Sequence, residues 1–521
     1  MKDAIFTITI DGRPVEVSPE QSILGAARKI GLDIPTLCFL EKCGPLTSCL
    51  VCLVKVKGKL VPSCATKVEP GMAVESETVE VHEARRTALE LLFSDHLGDC
   101  LSPCHRLCPL RMNIPVMLRQ VQANRFEEAI VTVKNALPMP AILGRLCHHP
   151  CEQGCRRANW DDPAAIRDLE CRVADEDLAS PKAYLPARQP LSGKSVVIVG
   201  AGPTGLAAAY FLLREGHSCV IADRQSVAGG TLRQSSQTGE LPHEILQAEI
   251  EQLQRLGLQL KLGVALGPEL TLEGLLRGFN AVLLATGEIS KSEGEALGLE
   301  TTTTGIKVHP DTFETSRKAV FAAGRAIKPM SAIIKAMADG QAAAYCINQF
   351  LLGEKIQKAE RPFSSVVGKL DKEELDQFMR GTDLVGRAKT CELCATFSRK
   401  ATAIEASRCL HCDCRSSGDC ALQFYAQVYE ADASRYRTQR RRFEQHVQPG
   451  GIVFEPGKCI LCGICVKLTE MAREPLGLTF IGRGFDVRVA APFDKSIQEG
   501  LRLVARECVE HCPTGALAFE K

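Results

Sequence analysis

No stretch constrains this chain more than Val196 to Asp223, VVIVGAGPTGLAAAYFLLREGHSCVIAD. The β-branched run Val196 to Val199 predicts a buried parallel strand. Gly200, Gly202 and Gly205 then form G-x-G-x-x-G at its C-terminal end, ahead of an Ala/Leu-rich helix and a second apolar strand closing on Asp223. The first two glycines permit a tight turn and the close approach of a pyrophosphate. The third lets helix and strand pack, and the free N–H groups of the helix N-terminus face the phosphates. Asp223, 23 residues after the first glycine, stands where a ribose hydroxyl is held. The sequence therefore predicts a dinucleotide-binding βαβ unit, with Gly200, Gly202, Pro203, Thr204, Gly205, Asp223 and Arg224 around the nucleotide.

The cysteines constrain the rest. There are 25 of them in 521 residues, and they fall in tight C-x2-C and C-x3-C groups. Such neighbours rarely bridge each other, and an odd total without a secretory signal argues against an oxidised scaffold. Thiolates in fours are what iron–sulfur clusters need. The opening MKDAIFTITI alternates like a strand instead of forming a signal peptide, and no apolar run reaches the roughly 18 residues of a membrane span. A net charge of +1 supplies no field for nucleic acid or an anionic membrane. These features predict a cytoplasmic protein of several domains without nucleic-acid or membrane partners. No Ser-His-Asp, metal-hydroxide or paired-carboxylate constellation stands out, so no catalytic residue is assigned.

In chain order, residues 3–17 alternate around an Asp11-Gly12 turn, and Ser18-Pro19-Glu20-Gln21 reads as a capped helix start. Cys38, Cys49, Cys52 and Cys64 follow, within IPTLC and VPSCAT. This resembles the β-grasp [2Fe-2S] domain of the large cluster-bearing subunit of respiratory complex I and of iron-only hydrogenases. That resemblance makes the four cysteines ligands and Cys43 a spare thiol.

His96, Cys100, Cys104 and Cys108-Pro109 come next, with LELL before them as in the His-ligated [4Fe-4S] site of complex I. Cys108-Pro109, an amphipathic helix pair and LGRLCHHPCEQGC with Cys147, Cys151 and Cys155 resemble the two-cluster domain of glutamate synthase small subunit and dihydropyrimidine dehydrogenase. Carried over, His96, Cys100, Cys104 and Cys155 hold one [4Fe-4S] cluster, and Cys108, Cys147, Cys151 and Glu170 hold another. His96 as a plain helix cap and Cys171 in place of Glu170 are the rival readings.

Residues 179–194 read as a Pro-rich linker. Beyond the glycine motif, AVLLATG with Ala285, Thr286 and Gly287, AVFAAG with Gly324, and a loop with Gly230 and Thr231 resemble the FAD-binding parts of the glutamate synthase small subunit. In that family a complete NAD(P)H domain lies between the two later signatures. Here only 36 residues separate Gly287 from Gly324, and no second glycine fingerprint exists. The resemblance implies FAD with the pyridine-nucleotide domain deleted. Arg325 departs from the family's aspartate at the ribityl chain. The helix expected at 243–256 and a charged helical exit over 351–380 complete this region.

Cys409, Cys412, Cys414 and Cys420 are compact enough for one [4Fe-4S] cluster, with Cys391 and Cys394 ahead of them. A zinc site on Cys391, Cys394, His411 and Cys412 is the alternative. Residues 421–445 read as a solvated interaction segment. GKCILCGICV and CVEHCPTGALAF then resemble the bacterial two-cluster ferredoxin. Thr469 replaces one cysteine and the second motif has lost two, which leaves one [4Fe-4S] cluster on Cys459, Cys462, Cys465 and Cys512, with Cys508 a relic.

The expected fold is multidomain α+β and α/β. A β-grasp ferredoxin (1–80), a helical two-cluster domain (81–178), a Rossmann-like FAD domain (193–355), a [4Fe-4S] segment (385–445) and a ferredoxin-like domain (446–521) follow one another. FAD, one [2Fe-2S] and four [4Fe-4S] clusters predict an electron-transfer subunit of an oxidoreductase complex. Its redox partners include a subunit resembling the NADH- and FMN-binding subunit of complex I, and ferredoxin; electron-bifurcating transhydrogenases, hydrogenases and formate dehydrogenases are complexes of this kind. A self-contained NAD(P)H oxidoreductase of the glutamate synthase type is the second expectation, and a redox-dead scaffold the third.

Overall fold

The computed structural model describes residues 5–520 except 268–269, 381, 383, 389–397, 438–440 and 449–450. Cys391 and Cys394 lie outside the described residues. The chain packs as two compact units, each built from separate stretches of sequence. One comprises Met1–Ser102, Pro362–Gly381 and His411–Lys521, the other Pro103–Arg361 and Thr382–Leu410.

The first unit begins with the hairpin Phe6–Ile10 and Arg13–Val17. Asp11 and Gly12 both take positive φ, 48° and 77°, the backbone that a two-residue hairpin with matching strand twist requires. The Asp11 carboxylate also accepts from the Ser76 N–H at 2.6 Å. Ile8, Ile10, Val15 and Val17 all point inward, as the period of two demands. They meet the buried face of the helix Ile23–Lys29. Ser22, not Ser18, caps this helix, accepting from the Gly25 N–H. The apolar run starting at Ile23 must face the sheet, and that decides where the helix begins.

Phe6–Ile10 runs parallel to Ala73–Glu75, which pairs with the hairpin Leu53–Val56 and Lys59–Pro62. Further on, a three-stranded antiparallel sheet joins His446–Gln448, Ile452–Phe454 and Leu517–Phe519. The expected solvated segment 421–445 is instead partly packed. Leu422 and Ala426 are buried, the Tyr429 hydroxyl accepts from the buried Arg85 at 2.7 Å, and Phe443 stacks on Phe378 at 4.2 Å. The expected helical exit is broken: Ile333–Leu352 ends at Gly353, and helix resumes only at Lys372–Met379.

In the second unit, six short helices between Pro103 and Leu178 precede a five-stranded parallel sheet. Its strand order is Gln259–Leu262, Ser218–Asp223, Ser195–Val199, Ala281–Leu284, Val320–Ala322. The strands Ser195–Val199, Ala281–Leu284 and Val320–Ala322 are buried on both faces and so read as apolar runs, whereas the edge strand Gln259–Leu262 alternates exposed and half-buried residues. The helix Ile333–Leu352 crosses Pro203–Arg214 closely because Gly340 has no side chain: a Cβ there would stand 2.3 Å from the Thr204 carbonyl oxygen.

Glu249, on the helix His243–Arg255, ties the helical part to this sheet domain by accepting from the Ala141 N–H at 2.6 Å. Burial raises its carboxyl to about 7 from 4.5, against Lys134 and the Ala141 and Ile142 N–H groups. The folded state therefore binds the extra proton between those values, and its stability falls as pH rises from 4.5 through 7. The loss is on the order of 3 kcal/mol. Glu249→Gln should flatten that part of the unfolding curve measured against pH by chemical denaturation.

Candidate functional site: cysteine sets and a nucleotide cradle

Cys38, Cys49, Cys52 and Cys64 converge in the first unit. Cys38 and Cys49 share one hydrogen bond, which holds Cys38 down to about 5 and pushes Cys49 up. Cys52 and Cys64 share another, which holds Cys52 down to about 6 and pushes Cys64 up. Cys52 and Cys64 also feel Cys38 electrostatically. The set thus divides into two hydrogen-bonded pairs, and two bridged irons take two thiolates each. Cys43 is not among them; its thiol is raised by burial against Lys42 and Lys467.

Cys459, Cys462, Cys465 and Cys512 line one cavity, closed by Phe454, Val489 and Leu517. Burial pushes each of the first three thiols up, Cys459 to about 11, and the sulfurs reinforce one another. Cys508 also lines this cavity and points at the Cys465 carbonyl oxygen, 3.9 Å away. Thr469, at the missing cysteine's position, is buried and joins Val466 to Leu478 through its hydroxyl.

In the second unit, the Glu170 carboxylate acts electrostatically on Cys108, Cys147 and Cys151. Burial raises Cys108 to about 11 and Cys147 to about 12, and the Glu170 carboxylate adds to both and to Cys151. Cys171 is turned away into a buried polar group, 3.3 Å from Arg145 and 3.8 Å from Asp175. A Cβ at Gly144 would collide with it at 2.6 Å. Cys104 acts electrostatically on Cys151. Cys155 is raised by burial and held by the backbone of Ala164 and Arg157.

His96 and Cys100 belong to the first unit, while Cys104 and Cys155 belong to the second. Within the first unit Cys100 keeps company with Cys414 and Cys420, residues from a different expected quartet. His96 is not a helix cap: the helix Val79–Ser94 ends at Asp95. The His96 Nδ1 is buried without a hydrogen-bond partner, and burial, then Lys458, lowers its pKa to about 3. Among the described residues no group of three or more His, Cys, Asp or Glu is arranged to hold a single metal ion. Polynuclear clusters differ, because their ligands bind different irons and stand farther apart.

The nucleotide cradle follows from three glycines with different reasons. A Cβ on Gly200 would lie 2.2 Å from the Ala285 carbonyl oxygen, and one on Gly205 would lie 2.0 Å from that of Gly200. Gly202 faces open space, with nothing within 4 Å of its missing Cβ. Pro203 opens the helix Pro203–Arg214 without a side-chain cap, leaving the first N–H groups available. Gly229 donates to the Ala201 carbonyl at 2.8 Å, and Gly230 sits on the turn, where a Cβ would meet Gly202 Cα at 2.8 Å. Arg224 is exposed and Thr231 half-buried beside them.

Asp223 is used partly for the protein itself, accepting from the Ala201 N–H at 2.6 Å and the Gln225 N–H at 2.7 Å. Ala285, Thr286 and Gly287 follow the strand Ala281–Leu284. Gly324 would clash with Thr204 if it carried a Cβ. Arg325 pairs with Glu288, and its Nε is buried without a partner. Sequence reasoning missed Asp339. From the facing helix it hydrogen-bonds the Gly324 backbone, and its Oδ2 is buried and unpartnered. An open glycine flanked by closed ones, with orphaned polar atoms beside it, fits a dinucleotide.

A family described as "2Fe-2S iron-sulfur cluster binding domain" matches residues 3–79. One described as dihydropyrimidine dehydrogenase domain II, 4Fe-4S cluster, matches 76–181, and an NAD(P)-binding Rossmann-like domain matches 198–248. The NADP(+)-dependent formate dehydrogenase subunit beta of Moorella thermoacetica is 36% identical over 207 residues, 36% of this chain and 29% of that one. The NADPH-Fe(3+) oxidoreductase subunit beta of Geobacter sulfurreducens is 34% identical over 188 residues, 36% of this chain and 28% of that one. The glutamate synthase [NADPH] small chain of Mycobacterium tuberculosis is 34% identical over 192 residues, 36% of this chain and 39% of that one. The matched stretch thus spans well under half of each relative. The relatives are oxidoreductase subunits, and this mixed α/β chain, with its [2Fe-2S], [4Fe-4S] and Rossmann-like domain matches, is an oxidoreductase electron-transfer subunit. No helix among the described residues is long and apolar enough to cross a membrane.

Proposed function

We propose that the chain is the iron–sulfur flavoprotein subunit of a cytoplasmic oxidoreductase complex. It passes electrons among FAD, one [2Fe-2S] and four [4Fe-4S] clusters, while NAD(P)H is handled by a partner resembling the NADH- and FMN-binding subunit of complex I. Ferredoxin or another redox subunit takes the far end of the chain, and a two-electron flavin joined to one-electron clusters suits electron bifurcation. Bound FAD supplies the exchange between paired and single electrons. Gly200, Gly202, Gly205 and the N–H groups after Pro203 would hold its pyrophosphate, Asp223 its ribose, and Asp339 and Arg325 the orphaned polar contacts at the far side. The clusters would be held by the cysteine sets at 38–64, 108–170 and 459–512, with His96, Cys100, Cys104, Cys155, Cys409, Cys412, Cys414 and Cys420 supplying the remaining two.

The observation that carries this reading is the single cradle. Between Gly287 and the strand Val320–Ala322 the described residues form only the six-residue helix Lys291–Ala296 and two isolated bridges, Thr301 to Ile306 and Glu314 to Phe321. Hydride transfer needs a nicotinamide held against the flavin, and no second turn and helix N-terminus is there to bind its phosphates. Purified alone and anaerobically, the chain should accept electrons from dithionite yet oxidise neither NADH nor NADPH with an artificial acceptor. Rapid flavin bleaching by either nucleotide would favour a self-contained NAD(P)H oxidoreductase. The match of residues 198–248 to an NAD(P)-binding domain supports a second reading, in which the one cradle takes NAD(P)H itself. In that case the purified chain would contain no flavin.

A further inference from the structure

We propose that His96, Cys100, Cys414 and Cys420 together hold one [4Fe-4S] cluster, in a site assembled from stretches more than three hundred residues apart in sequence. The inference rests on the cluster-bearing reading above and departs from the grouping by sequence proximity. Four backbone segments of the first unit converge on one place. The Cys414 N–H donates to the Cys100 carbonyl at 3.3 Å, and Leu97 donates to the Gly457 carbonyl at 2.6 Å. The Cys420 sulfur lies 3.7 Å from the Pro513 carbonyl oxygen. A Cβ on Gly515 would stand 2.5 Å from the Cys414 sulfur, so only glycine leaves that sulfur its place.

The three sulfurs act on one another electrostatically, with Cys100 and Cys414 both bearing on Cys420. The imidazole is tied to the same spot through Lys458, whose backbone it hydrogen-bonds and whose ammonium bears on both His96 and Cys414. That ammonium is itself buried and paired with Glu455 at 2.5 Å.

The His96 Nδ1 is the second independent sign. A buried ring nitrogen without a partner forfeits a hydrogen bond, a cost that a bond to iron removes. Three thiolates and an imidazole complete a four-ligand set with one negative charge fewer than four cysteines provide. Buried carbonyls and the Lys458 ammonium around the sulfurs are the outer contacts that tune such a centre. Lys458 also precedes Cys459 directly, so one dipeptide borders both this site and the cavity of Cys459, Cys462, Cys465 and Cys512.

The test is a set of single variants of the full chain, reconstituted anaerobically and compared by iron content and by EPR with redox titration. Cys100→Ser, Cys414→Ser and Cys420→Ser should each remove or alter the same one signal. His96→Cys should retain that signal and lower its midpoint potential, because a charge is added. Cys155→Ser, in the other unit, should leave it unchanged. The site is overturned if the Cys414 and Cys420 variants alter a signal that the Cys100 and His96 variants leave intact, or if Cys155→Ser removes the signal that Cys100→Ser removes. Iron near zero in the reconstituted parent chain would instead overturn the function proposed above. Should a serine variant fail to fold, His96→Cys still decides, since an unchanged midpoint at every centre rejects ligation by His96.

Discussion

Replacing Gly202 with alanine should leave the chain folded and cut its affinity for a dinucleotide roughly a hundredfold, about 3 kcal/mol. The backbone of Gly202 has φ −85°, which alanine adopts without strain, and its Cβ would meet no protein atom. The methyl group would project only into the space where the phosphates approach. Gly205→Ala is the contrasting variant: its Cβ would lie 2.0 Å from the Gly200 carbonyl oxygen, so the turn itself must distort. Flavin retained per chain after gel filtration, beside far-ultraviolet circular dichroism, separates the two. Gly202→Ala should lose cofactor with an unchanged spectrum, and Gly205→Ala should lose both. Retention of cofactor by Gly202→Ala would move the nucleotide off this turn.

The second large effect is expected at Arg408, fully buried in the second unit. Its guanidinium binds the Glu405 carboxylate at 2.9 Å, Asp161 at 3.0 Å, and the carbonyl oxygens of Asp162, Pro163 and Val385. Glu405 in turn accepts from the Ala165 and Ala388 N–H groups. Arg408→Ala removes the cation and strands Glu405, itself 1% exposed, as an uncompensated buried charge. Breaking such a pair costs about 3–5 kcal/mol. The midpoint of urea unfolding should fall accordingly. Arg408→Lys should recover little, since an ammonium cannot reach five acceptors arranged for a planar fork.

What was legible in the sequence was local. Cys38 to Cys64 lie within 27 consecutive residues, where a family resemblance marked them as one set, and Gly200 to Gly205 lie within one strand–helix junction, where spacing carried the geometry. The resemblance implied Glu170 beside Cys108, Cys147 and Cys151, and the engagement of Cys171 with Arg145 and Asp175 is what turns that neighbouring thiol elsewhere. Contacts between distant stretches left no such trace. Arg85 to Tyr429, Arg408 to Asp161 and Cys100 to Cys414 each join residues whose separation in sequence carries no periodicity. A stretch rich in Arg and Tyr therefore read as solvated although Tyr429 and Phe443 pack. Asp339 was silent because an acid on a mostly apolar helix looks like any exposed carboxylate until the facing strand end is known.

The first unit is built from three stretches, with most of the second unit encoded between them, and this orders its assembly in time. A ribosome that has made residues 1–102 has released the whole 38–64 cysteine set, which can mature early. The second unit can then collapse as an almost unbroken run of chain, as domains do during synthesis. His96 and Cys100, however, wait through more than three hundred further residues before Cys414 and Cys420 emerge. Iron delivered before that moment finds half a site, so this centre must be the last or nearly the last to be filled, and scarcity of iron during synthesis would be felt there first.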